Sequence, residues 1–311
     1  MNKAPLLCVL GPTASGKSGL AVNLAKEYGG EIISADSMQI YKGFNIGTAK
    51  ITTEEMCSIP HHMLDIVEPY GNYNVADYCK DATLIADDII NRGKLPILAG
   101  GTGLYINSLT ENIKFFEFNK DTEYAQFLDQ IEKENGSKFL WDMLYENDPE
   151  LAKNVSPNNT KRVKHALEVF KVTGKTYDVI SEESKQDARY NVLKIGLRFS
   201  KRELLYDRIN LRVDKMMEEG LLNEVRHLLS IGVPEYAQAM NGIGYKEILQ
   251  YLRGECSLEE ATDNIKMNSR RYAKRQMTWF KRDASIHWID VDRSDNVFDE
   301  ALQIMEKNRI F

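Results

Sequence analysis

Residues 11–18 read Gly11-Pro12-Thr13-Ala14-Ser15-Gly16-Lys17-Ser18, and this loop sets the architecture of the chain. It fits the spacing G-x-x-x-x-G-K-[S/T], in which glycines permit a tight turn and backbone N–H groups surround a phosphate chain. A short apolar run, 5–10, precedes it, and apolar residues recur every four positions after it. This context predicts a buried strand before the loop and a helix after it. The motif predicts a bound diphosphate without specifying ATP; Lys17 would add positive charge and the Ser18 hydroxyl would suit Mg²⁺.

The flanking sequence extends this unit into a parallel sheet. Further strands are predicted at 31–35 and 95–99, separated by an amphipathic helix that ends at Gly93. Alternation of strands and helices predicts an α/β fold, here a P-loop NTPase-like parallel sheet flanked by helices. Residues 114–190 show helical stripes and no convincing strand, so we expect an inserted all-helical subdomain. The catalytic core is then expected at 1–113 and 191–311.

A carboxylate at a strand end is the next requirement of a nucleotide-hydrolysing site. The strand at 95–99 leads into Gly100-Gly101-Thr102-Gly103 without an acid, whereas Asp36 directly follows the strand at 31–35. Because the carboxyl ends of parallel strands form the ligand crevice, Asp36 is the candidate. It could act through Mg²⁺, serve as a general base toward a second substrate, or only cap the turn before Ser37.

Composition narrows the class of protein further. The 311 residues carry 46 acidic and 40 basic side chains, a formal charge of −6, which argues against extensive non-specific RNA binding. The four cysteines are scattered without metal-ligand spacing, so we expect a reduced, cytoplasmic protein without a zinc module. No apolar run approaches the roughly 20 residues of a membrane span, and no signal peptide is expected.

Longer ordered strings in the chain resemble the tRNA dimethylallyltransferase (tRNA isopentenyltransferase) family. The second motif begins Asp36-Ser37-Met38-Gln39 and continues to Lys50. The related adenylate isopentenyltransferases show a pattern like Asp-Lys-x-Gln there, so the resemblance favours tRNA over a free nucleotide as acceptor. It covers about residues 6–290 and favours the bacterial form. Other matching strings lie at 60–65, 100–105, 165–175, 202–208, 244–246 and 271–279.

The resemblance implies a reaction and roles for four residues. The family transfers a dimethylallyl group from dimethylallyl diphosphate to N6 of the adenosine that follows the anticodon in tRNA. Asp36 is similar to the family's general base, and Lys17, Arg202 and Arg208 would stabilise the departing diphosphate with Mg²⁺ near Ser18. Arg202 and Arg208 lie six residues apart, so they do not share a face of an ideal helix and could also be solvated charges.

The family's tRNA contacts map onto three segments and one isolated threonine. The amide of Gln39 suits a base edge, whereas Lys161 fits phosphate contact better than base reading. Thr102 matches a position near the acceptor nucleotide, although it could also cap a helix. The mapped residues are Asp36, Ser37, Met38, Gln39, Thr102, Lys161, Arg162, Val163, Lys164, His165, Met240, Asn241, Gly242, Ile243, Gly244 and Tyr245.

A basic cluster near the C-terminus leaves two interpretations open. Residues 266–282 hold seven Lys or Arg side chains and no acid, which suits either a solvated helix face or contact with the RNA backbone. Tyr272, Met277 and Trp279 are expected to pack as core, and His61-His62 to be structural. We expect the anticodon stem-loop and dimethylallyl diphosphate as partners of a monomer without membrane contact.

Two rival functions remain at this point. A small-molecule P-loop kinase would turn over nucleotide with a free phosphoryl acceptor. A non-catalytic RNA-binding module would not depend on Asp36 at all.

Overall fold

The computed structural model describes residues 3–115, 121–184 and 187–308. Its strands are β1 (Ala4–Leu10), β2 (Glu31–Ala35), β3 (His61–His62), β4 (Pro96–Gly100), β5 (Tyr190–Arg198) and β6 (Ile286–Asp290). Its α-helices are α1 (Lys17–Tyr28), α2 (Thr53–Met56), α3 (Val75–Asn91), α4 (Gly103–Thr110), α5 (Thr122–Asn147), α6 (Pro149–Lys153), α7 (Thr160–Thr173), α8 (Tyr177–Ser184), α9 (Arg202–Glu218), α10 (Leu221–Ser230), α11 (Tyr245–Leu252), α12 (Leu258–Phe280) and α13 (Val297–Asn308). The chain divides into two compact units, Met1–Thr110 with Ala188–Phe311, and Glu111–Asp187.

The larger unit is built on one parallel sheet. Its six strands, counted over the residues described, run in the order β3-β2-β4-β1-β5-β6, and every neighbouring pair is parallel. The register pairs Gly100 with Leu10 on one side and with Ala35 on the other. The loops that follow β1, β2 and β4 therefore leave the sheet at the same edge, and the predicted α/β fold is confirmed.

Both faces of this sheet are buried, which explains the continuous apolar runs in its strands. Alternate residues of β1 enter different cores: Leu6 and Cys8 pack with α3 and α4, whereas Leu7 and Val9 pack with α1 and α13. Burial on both faces leaves the carboxyl edge as the place where side chains can meet a ligand.

A second layer of helices covers part of the larger unit. The helical pattern of residues 201–230, which Gly220 weakens, folds as two helices, because Gly220 adopts a left-handed conformation at φ 100° between α9 and α10. Helices α9 to α12 share a core that includes Tyr41, Phe44 and Tyr245. This core joins the segment after β2 to the helices that carry the C-terminal motifs. Helix α13 and the two-residue strand β3 lack a sequence prediction.

The regular secondary structure of the smaller unit is helical over its described residues, and the unit has its own core. The insertion was expected at 114–190, and the compact unit spans Glu111–Asp187. Helix α5 is interrupted at Gly136, and its buried leucines pack against Val163 and Leu167 of α7. Within the part of the chain that the structure describes, no helix has the length and apolar character that crossing a bilayer requires.

Candidate active site at the carboxyl edge of the sheet

The loop between β1 and α1 is shaped for an anion. Gly11 is required by close approach, since a Cβ there would lie 2.7 Å from the Leu197 carbonyl oxygen. The Ser15 hydroxyl is buried and has no hydrogen-bond partner among the described residues. A buried hydroxyl without a partner is costly, and a phosphate oxygen would satisfy it. The loop opens directly into the N-terminus of α1, whose amide groups favour negative charge.

Lys17 adds a positive charge to the phosphate loop. Its Nζ lies 3.4 Å from the Pro12 carbonyl oxygen, and it forms no ion pair within the described chain. The pKa of Lys17 is lowered from 10.5 to about 8; burial is the largest cause, Arg212 adds to it, and Asp36 opposes it. Lys17 and Arg212 therefore bring two positive charges to one cavity, and a bound anion would balance them.

The loop borders a cavity of about 340 Å³ that also contains Asp36. One carboxylate oxygen of Asp36, Oδ1, accepts the N–H of Met38 at 2.9 Å and that of Gln39 at 3.4 Å. Oδ2 has no protein donor in the described structure. The turn-capping and active-site interpretations of Asp36 are thus compatible, because one oxygen fixes the turn while the carboxylate borders the cavity.

Thr102 and Gln276 join the loops at this edge. Thr102 Oγ1 accepts the N–H of Ser37 at 3.1 Å, which ties the end of β4 to the end of β2. Gln276 accepts the N–H of Thr13 and donates to the carbonyl of Gly101, both at 2.9 Å. Its sequence position suggested no role, and the structure shows it connecting the phosphate loop to the loop after β4.

The amide of Gln39 is occupied by protein groups at both ends. The Ser34 hydroxyl donates to Oε1, and Nε2 donates to the carbonyls of Thr48 and Ala49, all at 3.3 Å. To read a base edge, as expected from the resemblance, Gln39 would have to exchange one of these bonds for a bond to RNA.

The arginines of α9 differ in their placement. Neither Arg202 nor Arg208 lines the cavity: Arg202 is 70% exposed, whereas Arg208 Nε donates to the Ala14 carbonyl of the phosphate loop at 2.9 Å. Arg212, absent from the predicted site, lines the cavity; Nη2 donates to the Thr48 carbonyl at 3.3 Å, and Nε is buried with no partner in the described chain. Burial lowers the pKa of Arg212, and Asp36 counteracts this. The sequence offered one signal for Arg212: it lies four residues after Arg208, and residues four apart share a helix face.

The predicted segment 240–245 supplies part of the cavity lining. Asn241, Gly242, Ile243 and Tyr245 line the cavity, while Met240 is buried in the helical core. Gly244 precedes the first residue of α11. Ser37 and Met38 of the second motif also line the cavity.

The predicted tRNA contacts of the smaller unit lie on the first turns of α7. Lys161, Arg162 and His165 are exposed, but Val163 is buried in the core of this unit. Lys164 forms ion pairs with Asp129 and Glu132 of α5. The exposed cations of this turn are therefore the side chains available to a partner, and Lys164 joins two helices.

The histidine pair lies away from this edge. His62 Nε2 is 2.7 Å from the buried carboxylate of Glu31, and His61 Nδ1 is 2.8 Å from the Ile59 carbonyl. Among the residues described, no cluster of three His, Cys, Asp or Glu side chains could hold a metal ion.

Fold and site together define a class of protein. A phosphate loop between β1 and α1, with cationic side chains and a carboxylate in one cavity, describes a P-loop-type α/β protein. The family model described as IPP transferase matches residues 39–283. The chain belongs to the IPP transferase family.

Individual relatives agree with this assignment. The tRNA dimethylallyltransferase of Caldanaerobacter subterraneus subsp. tengcongensis is 49% identical over 289 residues, 92% of each chain. The solved full-length tRNA isopentenylpyrophosphate transferase of Bacillus halodurans matches with a TM-score of 0.72 at 44% identity, covering 99% of this chain and 95% of its own. A eukaryotic dimethylallyltransferase acting on tRNA matches with a TM-score of 0.83 at 28% identity, covering 99% and 79%.

Proposed function

We propose that this protein transfers a dimethylallyl group from dimethylallyl diphosphate to N6 of the adenosine that follows the anticodon on its 3′ side in tRNA, with release of diphosphate. Family membership and the names of its relatives support this activity. The observation that carries it is one cavity lined by both the phosphate loop and Asp36, with glycines instead of a carboxylate at the end of β4. That arrangement suits departure of a diphosphate better than nucleotide hydrolysis.

The chemistry divides between the two sides of the cavity. The N6 lone pair forms a bond to the first carbon of the dimethylallyl group while the carbon–oxygen bond breaks and its electrons pass to the diphosphate. Lys17, Arg212 and the loop amides stabilise the charge on that leaving group. Arg208 holds the loop through Ala14. Asp36 accepts the proton that N6 loses, and because its Oδ1 is fixed by the turn, the carboxylate enters the reaction already oriented.

The oxygen donors at this edge fit Mg²⁺. The cation takes a hydroxyl or one or two carboxylates together with substrate phosphates and water, and Ser18 and Asp36 both line the cavity. Ser18 would hold the ion, as in other phosphate loops, and the ion would neutralise charge on the diphosphate oxygens.

The partners follow from the same proposal. The anticodon stem-loop would present its adenosine to the cavity with the base extracted from the stack. Ser37, Met38 and the segment 241–245 would surround that nucleotide. We expect the protein to be a cytoplasmic monomer, and its four free cysteines are compatible with a reducing compartment.

Asp36→Asn tests the proposal with little structural disturbance, because an amide oxygen can still accept the turn N–H groups of Met38 and Gln39. We expect transfer of labelled dimethylallyl groups into an anticodon stem-loop RNA to fall about 10²–10⁴-fold, with RNA affinity kept within about threefold. Asp295→Asn, at an exposed aspartate, is the matched control.

Parallel reactions with labelled ATP separate this function from its rivals. Nucleotide hydrolysis without prenyl transfer would favour a kinase and contradict the proposal. If the Asp36→Asn variant transferred the group at the wild-type rate, Asp36 would not be the general base.

A further inference from the structure

Glu247 is a buried acid beside the reaction cavity that the proposed mechanism does not use. It lies in the first turn of α11 and is only 1% exposed. One carboxylate oxygen, Oε2, accepts the N–H of Gly244 at 2.8 Å, and the other, Oε1, accepts a hydrogen bond from Nδ2 of Asn268 at 2.7 Å. Lys246 Nζ lies 3.6 Å from Oε1, but its side chain is 47% exposed. The carboxylate therefore joins the start of α11 to the middle of α12.

The burial of Glu247 exceeds what capping a helix requires. A glutamate that closes a capping box needs only to reach back to the N–H group before the helix. At the starts of α2 and α12, Glu55 and Glu260 do this while they are exposed to solvent. Among the described residues, neither of these glutamates bonds a second helix. Because removing a carboxylate from water is costly, the bond to Asn268 points to the contact between α11 and α12 as the reason for burial.

Both segments that Glu247 joins line the reaction cavity. Gly242 borders the cavity just before α11, and Ser269, the residue after Asn268, borders it on α12. Tyr272, which was expected to pack as core, lines the same cavity one turn later. A shift of either segment would therefore change the shape of the cavity, whereas the phosphate loop lies on a different connection of the chain.

The start of α11 also packs closely on the residues around Asp36. A Cβ added to Gly242 would lie 2.5 Å from Cε of Met38, and the N–H of Met38 donates to Asp36 Oδ1 at 2.9 Å. A Cβ added to Gly47 would lie 2.6 Å from the ring of Tyr245. Because close-packed groups transmit small displacements, the position of the start of α11 affects the turn that orients the Asp36 carboxylate.

We propose that Glu247 is a positioning residue for the acceptor side of the reaction cavity. By fixing α11 against α12, its carboxylate keeps Gly242 against Met38 and so sets the place of the acceptor adenosine relative to Asp36. Glu247 does not itself line the cavity, so it acts through these neighbours and not on the reacting atoms. This inference rests on the proposed function, since it concerns the same reaction.

Glu247→Gln tests this role, because the NH₂ group of the new amide would face one of the two donors that the carboxylate now accepts. We expect kcat for transfer into an anticodon stem-loop RNA to fall about tenfold and the affinity for that RNA about fivefold, with pyrophosphate affinity within about twofold of wild type. Glu260→Gln is the matched control, since it changes a capping glutamate at an exposed position outside the cavity lining.

A reciprocal change tests the bond between the helices. Adding Asn268→Asp to Glu247→Gln exchanges donor and acceptor, because the new amide can donate to the new carboxylate while its oxygen still accepts the N–H of Gly244. We expect this double variant to recover most of the lost rate, and Asn268→Asp alone, which places two carboxylates together, to be at least as slow as Glu247→Gln. A double variant no faster than Glu247→Gln would overturn the pairing. Asn268→Ala removes only the bond between the helices and serves if Glu247→Gln does not fold, which thermal unfolding shows.

The outcomes separate this inference from the proposed function. If wild-type protein binds the RNA but transfers no dimethylallyl group, the proposed function fails, and the role of Glu247 is read from the RNA affinity of the same variants. If Glu247→Gln and Asn268→Ala lower the unfolding temperature but keep kcat and RNA affinity, Glu247 is only structural and the inference fails. An equal loss of pyrophosphate affinity would show a general distortion of the site and would also overturn it.

Discussion

Lys17 shows how one side chain couples binding to pH. Because burial and Arg212 lower its pKa from 10.5 to about 8, the free protein loses this proton as the pH rises through 8, while bound diphosphate favours the charged form. We expect the dissociation constant for pyrophosphate to rise above pH 8 by up to tenfold per pH unit, measured by calorimetry. Lys17→Arg keeps its charge and experiences the same ligand ionisation, so identical profiles for the two proteins would contradict this.

Individual residues also show what a pattern in the chain can and cannot reveal. Lys17 and Ser18 were predicted from the loop motif and Asp36 from its position directly after β2, and all three line one cavity. Arg212, which no pattern singled out, lines the cavity and Arg202 is exposed, because the face of α9 toward the cavity depends on how the helix packs. Gln276 contacts Thr13 across 263 positions of sequence.

Glu31 supports the edge of the sheet as a charged residue at the start of β2. Its carboxylate is buried and accepts from Arg92, from Lys94 at 2.8 Å and from His62 at 2.7 Å. Hydrogen bonding with Arg92 is the largest cause that lowers the pKa of Glu31 well below 4.5, and burial opposes it. A lowered pKa means that the stabilisation is complete above the unfolded-state pKa and is lost as the pH falls below it.

We therefore expect Glu31→Gln to lower the free energy of unfolding by about 1–3 kcal/mol at pH 7. The difference from wild type should shrink as the pH falls below about 4.5. Urea unfolding at several pH values measures it, with the exposed Glu27→Gln as control. A difference that stays constant down to pH 3 would be inconsistent with a charged Glu31.

Helix α10 positions a loop of the site through Glu224. Its carboxylate accepts the N–H groups of Asn45, Ile46 and Gly47 at 2.8–3.1 Å, and the Tyr245 hydroxyl at 2.7 Å. The next residue, Thr48, presents the carbonyl that both Gln39 and Arg212 bond. Glu224 thus acts on these two side chains through the loop between them.

For Glu224→Ala we expect the transfer rate at saturating RNA to fall about 10–100-fold, because small displacements of positioned groups are costly. The pyrophosphate affinity should stay near wild type, since the phosphate loop lies on a different connection. Glu218→Gln on α9 is the control, as that glutamate is exposed and unpaired in the described chain. If only the KM for RNA changed, the loop would contribute to RNA binding and not to the transfer step.

At the scale of the whole molecule, the helical unit is one continuous segment of the chain, Glu111–Asp187, inserted between the two parts of the sheet unit. Lys114 N–H donates to the Ser184 carbonyl and Asn112 Nδ2 to the Asp187 carbonyl, both at 2.9 Å, so the two ends of this unit lie together. A short glycine-serine linker should therefore close the gap left by deleting Glu111–Asp187.

We expect this deletion to abolish tRNA modification while pyrophosphate still binds within about threefold of wild-type affinity, because the exposed cations of α7 are lost and the phosphate loop is not. Filter binding of tRNA and calorimetry with pyrophosphate measure the two effects. Undiminished tRNA affinity in the deletion would contradict an RNA-binding role for this unit. Lost pyrophosphate affinity would show that the sheet unit depends on it.

Local pattern was enough for the phosphate loop and the parallel sheet, because strand, turn and helix signals lie within a few residues of one another, while the family rested on the resemblance of longer strings. It could not reveal that Arg212, Gln276 and Glu224 meet residues 13–48, since those contacts depend on how helices from the far end of the chain pack over the sheet edge. The net charge of −6 is likewise a sum over the chain. Packing of one face of α12 against the core leaves Arg271, Lys274, Arg275 and Trp279 on the other.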